Sequence, residues 1–168
     1  LFGIWKVEKA VQPIIDFYLK LADKEKQNSL DDKFEHIDLF GESVRQSLVN
    51  IGEASVIALL TELSKTTEYS DAQDYLVMAL AEIASKNKTD EVYRCLRNIF
   101  TMCNNKMVLA EAISIYGDGR AIPALRGYLD KNIKDVDNDT LYTFKLAIER
   151  LGGNIDDILA SRYKNMKR

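Results

Sequence analysis

The chain has 168 residues, of which 46% are hydrophobic and 29% are charged, with two prolines and a formal net charge of −3. This composition excludes a disordered chain, a collagen-like chain and a disulfide-stapled miniprotein, because it supplies enough apolar surface for one buried core. The net negative charge also argues against a general nucleic-acid binder. No apolar run approaches the roughly 18 residues of a membrane-crossing helix, so we expect no membrane partner.

The first residues of the chain resemble the end of a structural unit. Leu1-Phe2-Gly3 lacks an initiator Met and matches the close of a pattern that recurs downstream, so we expect a fragment of a longer protein. The N-terminus has no basic segment followed by an apolar run, and no secretion signal is therefore predicted. The two cysteines, Cys95 and Cys103, fit a reducing compartment. These features together predict a cytoplasmic location.

One helical pattern recurs four times. It consists of an apolar residue, a small residue three positions later, apolar residues four and seven positions later, and then glycine or alanine. The copies begin at Val44, Leu76, Leu109 and Phe144, which lie 32, 33 and 35 residues apart. This spacing places the side chains on one face of an α-helix. The small residue lets another helix approach closely, and a final glycine favours a left-handed C-terminal cap.

A second apolar pattern, at positions i, i+3 and i+7, follows the first three copies. Its members are Val56, Leu59 and Leu63, then Val92, Cys95 and Ile99, then Ile122, Leu125 and Leu129. Val11, Ile14 and Tyr18 fit it near the start, and Ile155 and Ile158 begin it near the end. Thr89 or Asp90 is the expected cap of the helix that contains Val92. Polar connections are predicted at 22–32, 66–71, 102–106 and 131–139.

These patterns predict helix pairs that stack to hide their apolar faces. Residues 44–63 and 107–129 resemble short bacterial HEAT repeats, and the run Gly-Asp-Gly-Arg-Ala-Ile-Pro-Ala-Leu at 117–125 is similar to phycobilisome-lyase-type repeats. The resemblance implies an all-α, right-handed α-solenoid of about five HEAT-like pairs, in one domain over 1–168. The repeats fall at about 1–22 (partial), 33–65, 71–101, 106–131 and 139–164. It further implies first helices on the convex face and second helices on the concave face.

Reactive residues are sparse. His36 is the sole histidine, and a zinc site needs about four ligands, so we predict no metal, no cofactor and no catalytic residue. Cys95 falls on an apolar helix face and is expected in the core, whereas Cys103 falls in a polar turn and is expected to be accessible. Asp118 and Arg120 are expected to be structural, because that turn in the family commonly bonds along the stack.

One group of basic residues is a candidate binding surface. Arg94, Arg97, Arg120 and Arg126 lie on or beside two successive second helices, where they form a candidate binding ridge for acidic groups or phosphates. The alternative is a solvated face balanced by nearby acids.

A repeat array without a reactive cluster predicts a non-catalytic scaffold that binds a protein or peptide in a concave groove. The alternative is a HEAT-like enzyme or nucleic-acid-binding domain, similar to DNA-alkylation-repair glycosylases or bilin lyases, that uses the basic ridge. Self-association through terminal repeats is a further expectation.

Overall fold

The computed structural model describes residues 7–27, 34–65 and 69–166. In these ranges the chain is helical and contains no β-strand, which confirms the predicted all-α class. The helices are α1 (Val11–Gln27), α2 (Phe34–Ile51), α3 (Val56–Lys65), α4 (Ala72–Ala84), α5 (Asp90–Met102), α6 (Lys106–Tyr116), α7 (Ile122–Asn132), α8 (Asn138–Arg150) and α9 (Asp156–Met166). Short 3-10 turns at Glu8–Ala10, Gly52–Ser55 and Gly119–Ala121 lead into α1, α3 and α7.

Side-chain caps begin α5 and α8. The Thr89 side chain accepts a hydrogen bond from the Val92 amide at the start of α5, which confirms one of the two predicted caps. The Asp137 carboxylate accepts from the Thr140 amide at 2.7 Å at the start of α8. These bonds satisfy amides that lack a partner within the first turn of a helix.

Glycine follows three of the four repeated helical patterns, and each of these glycines has the predicted left-handed conformation. Gly52, Gly117 and Gly152 have φ angles of 84°, 77° and 91°. A Cβ is costly at such angles, which explains why glycine recurs at this position.

The predicted first connection is partly wrong. Helix α1 continues to Gln27 rather than ending near Ala22. Residues 23–27 are charged or polar, but 24–27 are the good helix formers Lys, Glu, Lys and Gln, and the stretch lacks glycine and proline. The polar residues therefore form the last turn of α1 and not the connection that follows it. Trp5 and Leu1-Phe2-Gly3 lie outside the described residues.

Alternate helices form a closely packed layer. Helix α2 packs against α4, α4 against α6, and α6 against α8. Three of its four predicted small residues, Ala79, Ala112 and Ala147, are at most 2% exposed, whereas Ser47 of α2 is only partly buried. We call α2, α4, α6 and α8 the inner layer. Each of its members also packs on the helix that precedes it in the chain: α1, α3, α5 and α7 respectively.

The remaining helices form a looser layer. Helix α3 contacts α5, but less extensively than inner-layer helices contact one another, and α5 and α7 approach each other only marginally. Their apolar positions still reach one continuous core, since Leu59, Ile99 and Leu125 are buried with the inner-layer residues. We call α3, α5 and α7 the outer layer.

One segment has the length and hydropathy of a membrane-crossing helix. Within residues 40–65, an 18-residue stretch has a mean hydropathy of 1.2, and 28% of that stretch is buried inside the protein. The segment comprises the second part of α2, the 3-10 turn Gly52–Ser55 and all of α3, and the chain turns between the two helices at Gly52. Core helices share this composition with membrane helices, so the absence of a membrane partner stays a prediction.

Candidate functional site

An open groove of about 600 Å³ crosses the inner layer. It is lined by Glu42 and Arg45 from α2, by Asp71, Asp74, Tyr75 and Met78 at and after the start of α4, and by Asn105, Val108, Glu111 and Ile115 at and after the start of α6. Three helices that pack closely on one another thus supply its walls, so the groove rests on a well-supported part of the fold.

The central strip of the groove belongs to α4. The face of α4 that carries Leu76, Leu80 and Ile83 is buried in the core. Asp74 and Met78, one helical turn apart, lie on the strip of α4 that remains partly accessible. On α6, Glu111 is exposed and Val108 and Ile115 are partly buried.

Tyr75 lies at the α2 side of the groove. A Cβ on Gly41 of α2 would approach the Tyr75 ring to 2.5 Å, so glycine permits the close approach of α2 to this ring. The Tyr75 ring also packs edge-to-face on Tyr18 of α1, with ring centroids 6.3 Å apart. Aromatic contacts of this geometry hold side chains in defined positions, which makes Tyr75 a fixed part of the wall.

The groove carries more acidic than basic groups. Its guanidinium, Arg45, forms ion pairs with Glu42 at 2.6 Å and with Glu82 of α4. These contacts hold the pKa of Glu42 below its usual value. Asp71 and Glu111 form no ion pair with another described residue.

Asp74 is the groove acid whose pKa is raised by burial. The Tyr69 hydroxyl donates a hydrogen bond of 2.6 Å to its carboxylate, and the Asn105 side-chain amide donates another of 3.4 Å. Burial nevertheless raises the pKa of Asp74 to about 6, and the charge of Asp71 contributes to the same direction. The carboxylate is therefore mostly ionised at neutral pH but carries an unfavourable desolvation.

The four predicted ridge arginines divide into two kinds. Arg94 and Arg97 are exposed on α5, three residues apart, and neither pairs with a carboxylate in the described part of the chain. Arg97 also borders a cavity of only about 10 Å³ between α5 and the α7 region. That space admits no more than a single water molecule.

Arg120 and Arg126 tie neighbouring parts of the stack together. Arg120 binds Asp118 at 2.7 Å and Asp90 of α5 at 2.8 Å, and its guanidinium lies 4.3 Å from the Tyr93 ring centroid. Arg126 binds the Asp157 carboxylate of α9 at 2.7 Å and the Asn154 carbonyl. Both guanidinium groups thus form ion pairs within the chain, whereas Arg94 and Arg97 do not, and the use of the four arginines as one binding ridge stays a prediction.

Cys103 is buried, so its expected accessibility is wrong. The residue follows α5 in a polar turn, yet it is only 2% exposed, and its Sγ lies 3.6 Å from the Asn105 carbonyl oxygen. The turn folds back at the start of α6, which directs the thiol inward while its neighbours stay in solvent. Burial raises the pKa of both Cys103 and Cys95. Protonated, buried thiols are weak nucleophiles.

Within the described ranges, no group of three or more His, Cys, Asp or Glu side chains is arranged to hold a metal ion. His36 lies in α2, but its side chain falls outside the described residues. Comparison with protein-family models, with curated proteins and with solved structures finds no match to this chain.

The repeated sequence pattern did not predict the groove. The repeated pattern marks the buried face of each inner-layer helix, but the groove uses the remaining strip. A second periodicity was available as a signal: Asp74 and Met78 on α4, and Glu111 and Ile115 on α6, recur at the i, i+4 spacing of one helix face.

Proposed function

We propose that the chain is a non-catalytic protein-binding module, built as an α-solenoid of HEAT-like helix pairs, with the inner-layer groove as its binding surface. The observation that carries the proposal is the groove itself, which joins accessible apolar side chains to charged ones on three closely packed helices. A preformed surface of this kind binds a partner without a large ordering cost.

The order of helix contacts supports the solenoid. Contacts run from α2 to α4, α6 and α8 in succession, and one core cluster extends from Val11 to Ile158. A stack in which each unit touches its neighbours in this way is typical of repeat proteins.

The two layers also suggest the direction of curvature. In a bent stack of two layers, the more closely packed layer lies on the inside. The inner layer would then form the concave face. This reverses the assignment that the family resemblance implied, in which the helices of the second pattern line the concave face.

Two further observations favour binding over catalysis. Both thiols are buried with raised pKa values, and two of the four arginines of the alternative nucleic-acid surface are paired with carboxylates of the same chain. The groove, in contrast, offers polar and apolar groups that are accessible to a partner.

A displayed library of random peptides, with no bias in charge, tests this function. Peptides enriched on the folded chain are measured for binding to a double variant, Met78→Ala with Val108→Ala, which removes apolar contacts from the groove. The matched control is Ile57→Ala with Met102→Ala, since these side chains are 77% and 45% exposed on the outer layer. Circular dichroism and urea unfolding verify that both variants fold.

We expect the groove variant to weaken binding by about tenfold, as loss of central interface contacts commonly does, and the control to bind like the parent chain. Failure to enrich any peptide would overturn the proposal. So would enriched peptides that respond to the outer-layer variant and not to the groove variant.

A further inference from the structure

The net charge of the groove restricts what it can bind. Four carboxylates line it, from Glu42, Asp71, Asp74 and Glu111, against the one guanidinium of Arg45. Glu42 and Glu82 already neutralise that guanidinium. The three other carboxylates have no cationic partner among the described residues. Those of Asp71 and Glu111 are exposed to a ligand, and that of Asp74 is partly buried and accepts hydrogen bonds from Tyr69 and Asn105.

Apolar side chains neighbour these carboxylates along α4 and α6. Met78 follows Asp74 by one turn on α4, while Val108 and Ile115 flank Glu111 on α6. One helical turn corresponds to about 5.4 Å along a helix. A complementary partner therefore needs cationic and apolar side chains that alternate over a similar distance.

From this arrangement we infer that the occupant of the groove is a basic polypeptide segment. Its Lys or Arg side chains pair with Asp71, Asp74 and Glu111, and an apolar side chain between them packs on Met78 and Val108. The inference rests on the proposed function, because it names the partner of the same groove.

Other classes of ligand fit the groove less well. A nucleic acid or an acidic membrane surface would meet uncompensated carboxylates and be repelled. The acids do not form a cluster suited to a metal ion within the described residues. A basic segment that also carries an apolar side chain complements both the carboxylates and the apolar side chains of the groove.

Two of the acids can be neutralised without removing a structural bond. Asp71 stands before α4 but its side chain makes no capping hydrogen bond. Glu111 is exposed, and Ser114 bonds only to its backbone carbonyl. The variant Asp71→Asn with Glu111→Gln therefore removes charge and leaves the fold intact.

Glu91→Gln with Asp130→Asn is the matched control, since it removes the same charge from exposed positions on α5 and α7.

The probes are two labelled synthetic peptides, one of alternating Lys and Leu and one with Glu in place of each Lys. Fluorescence anisotropy measures their binding at neutral pH over a range of salt concentrations. We expect the Lys–Leu peptide to bind, with an affinity that falls as salt rises. Asp71→Asn with Glu111→Gln should weaken it by about tenfold, whereas the control should not, and the Glu–Leu peptide should not bind.

Equal weakening by both charge variants would overturn the inference, because it would indicate attraction to net charge alone. The inference also fails, while the proposed function stands, if library peptides require Met78 and Val108 but show no excess of Lys or Arg. Light scattering measures whether the chain self-associates. If it does, and if Asp71→Asn with Glu111→Gln abolishes the self-association, the occupant of the groove is a second copy of this chain. That result would contradict the inference of a separate basic partner.

Discussion

The Asp74 carboxylate accepts hydrogen bonds, but its partial burial destabilises the ionised form. It accepts hydrogen bonds from Tyr69 and Asn105, yet burial and the nearby Asp71 raise its pKa to about 6. Buried Cys103 and, beside it, Lys106 lie in the same region. A raised pKa means that the folded state holds this proton more tightly than the unfolded state does.

We expect Asp74→Asn to raise the free energy of unfolding at pH 7 by about 1 kcal/mol, a value discounted for the exposed part of the carboxyl. The proton on Asp74 stabilises the native chain below about pH 4, near the ordinary pKa, and this contribution is lost as pH rises towards 6. The difference between variant and parent should therefore be small at pH 4 and full above pH 6. Urea unfolding at several pH values measures it, and a difference independent of pH would contradict the assignment.

Structural features that depend on neighbouring residues in the sequence were predictable, whereas contacts between residues far apart in the sequence were not. The cap at Thr89 and the left-handed Gly52, Gly117 and Gly152 depend on neighbours within one turn, which the sequence displays directly. Arg120 instead binds Asp90, 30 positions away, and the Cys103 thiol turns inward because of how α5 meets α6. Such contacts depend on the packing of helices and not on local composition.

At the scale of the helix, the position of a glycine decides the effect of changing it. Gly152 ends α8 with a φ of 91°, and Gly127 lies inside α7, yet a Cβ would meet no atom within 4 Å at either position. The two sites therefore differ in backbone conformation and not in available space.

Gly152→Ala should lower the free energy of unfolding by about 1–2 kcal/mol, because alanine is strained in the left-handed region. Gly127→Ala should raise it by about 0.5–1 kcal/mol, because alanine is the better helix former. Thermal or urea unfolding of both variants measures the changes. Effects of the same sign would contradict the assigned helix end.

Helical periodicity predicts which face of a helix is buried but not which helix covers it. The pattern from Leu76 to Ile83 correctly indicated a buried face of α4. It contained no information that α4 would pack on α3 as well as on α2 and α6. That knowledge requires the spatial order of the helices, and the groove on the remaining strip of α4 was missed for the same reason.

Among the described helices, packing is densest around α4. Helix α4 contacts α2, α3, α5 and α6, while α9 makes only weak contacts with the other described helices. In a stack of units, stability depends on the contacts of each unit with its neighbours, and regions with few contacts open at lower free energy.

Amide hydrogen exchange should therefore be slowest in α4 and α6 and fastest in α9 among the helices compared. Mass spectrometry of exchanged peptides, or NMR, measures this gradient under native conditions. Exchange in α9 as slow as in α4 would indicate a single cooperative unit and would contradict the stacked arrangement.

We expect partners to bind to the inner layer and not to the arginines of the outer layer. Backbone amide chemical shifts, recorded by NMR while a library-enriched peptide is added, test it most directly. We expect the largest changes at Asp74, Met78, Val108 and Glu111. Changes concentrated on α5, around Arg94 and Arg97, would contradict it.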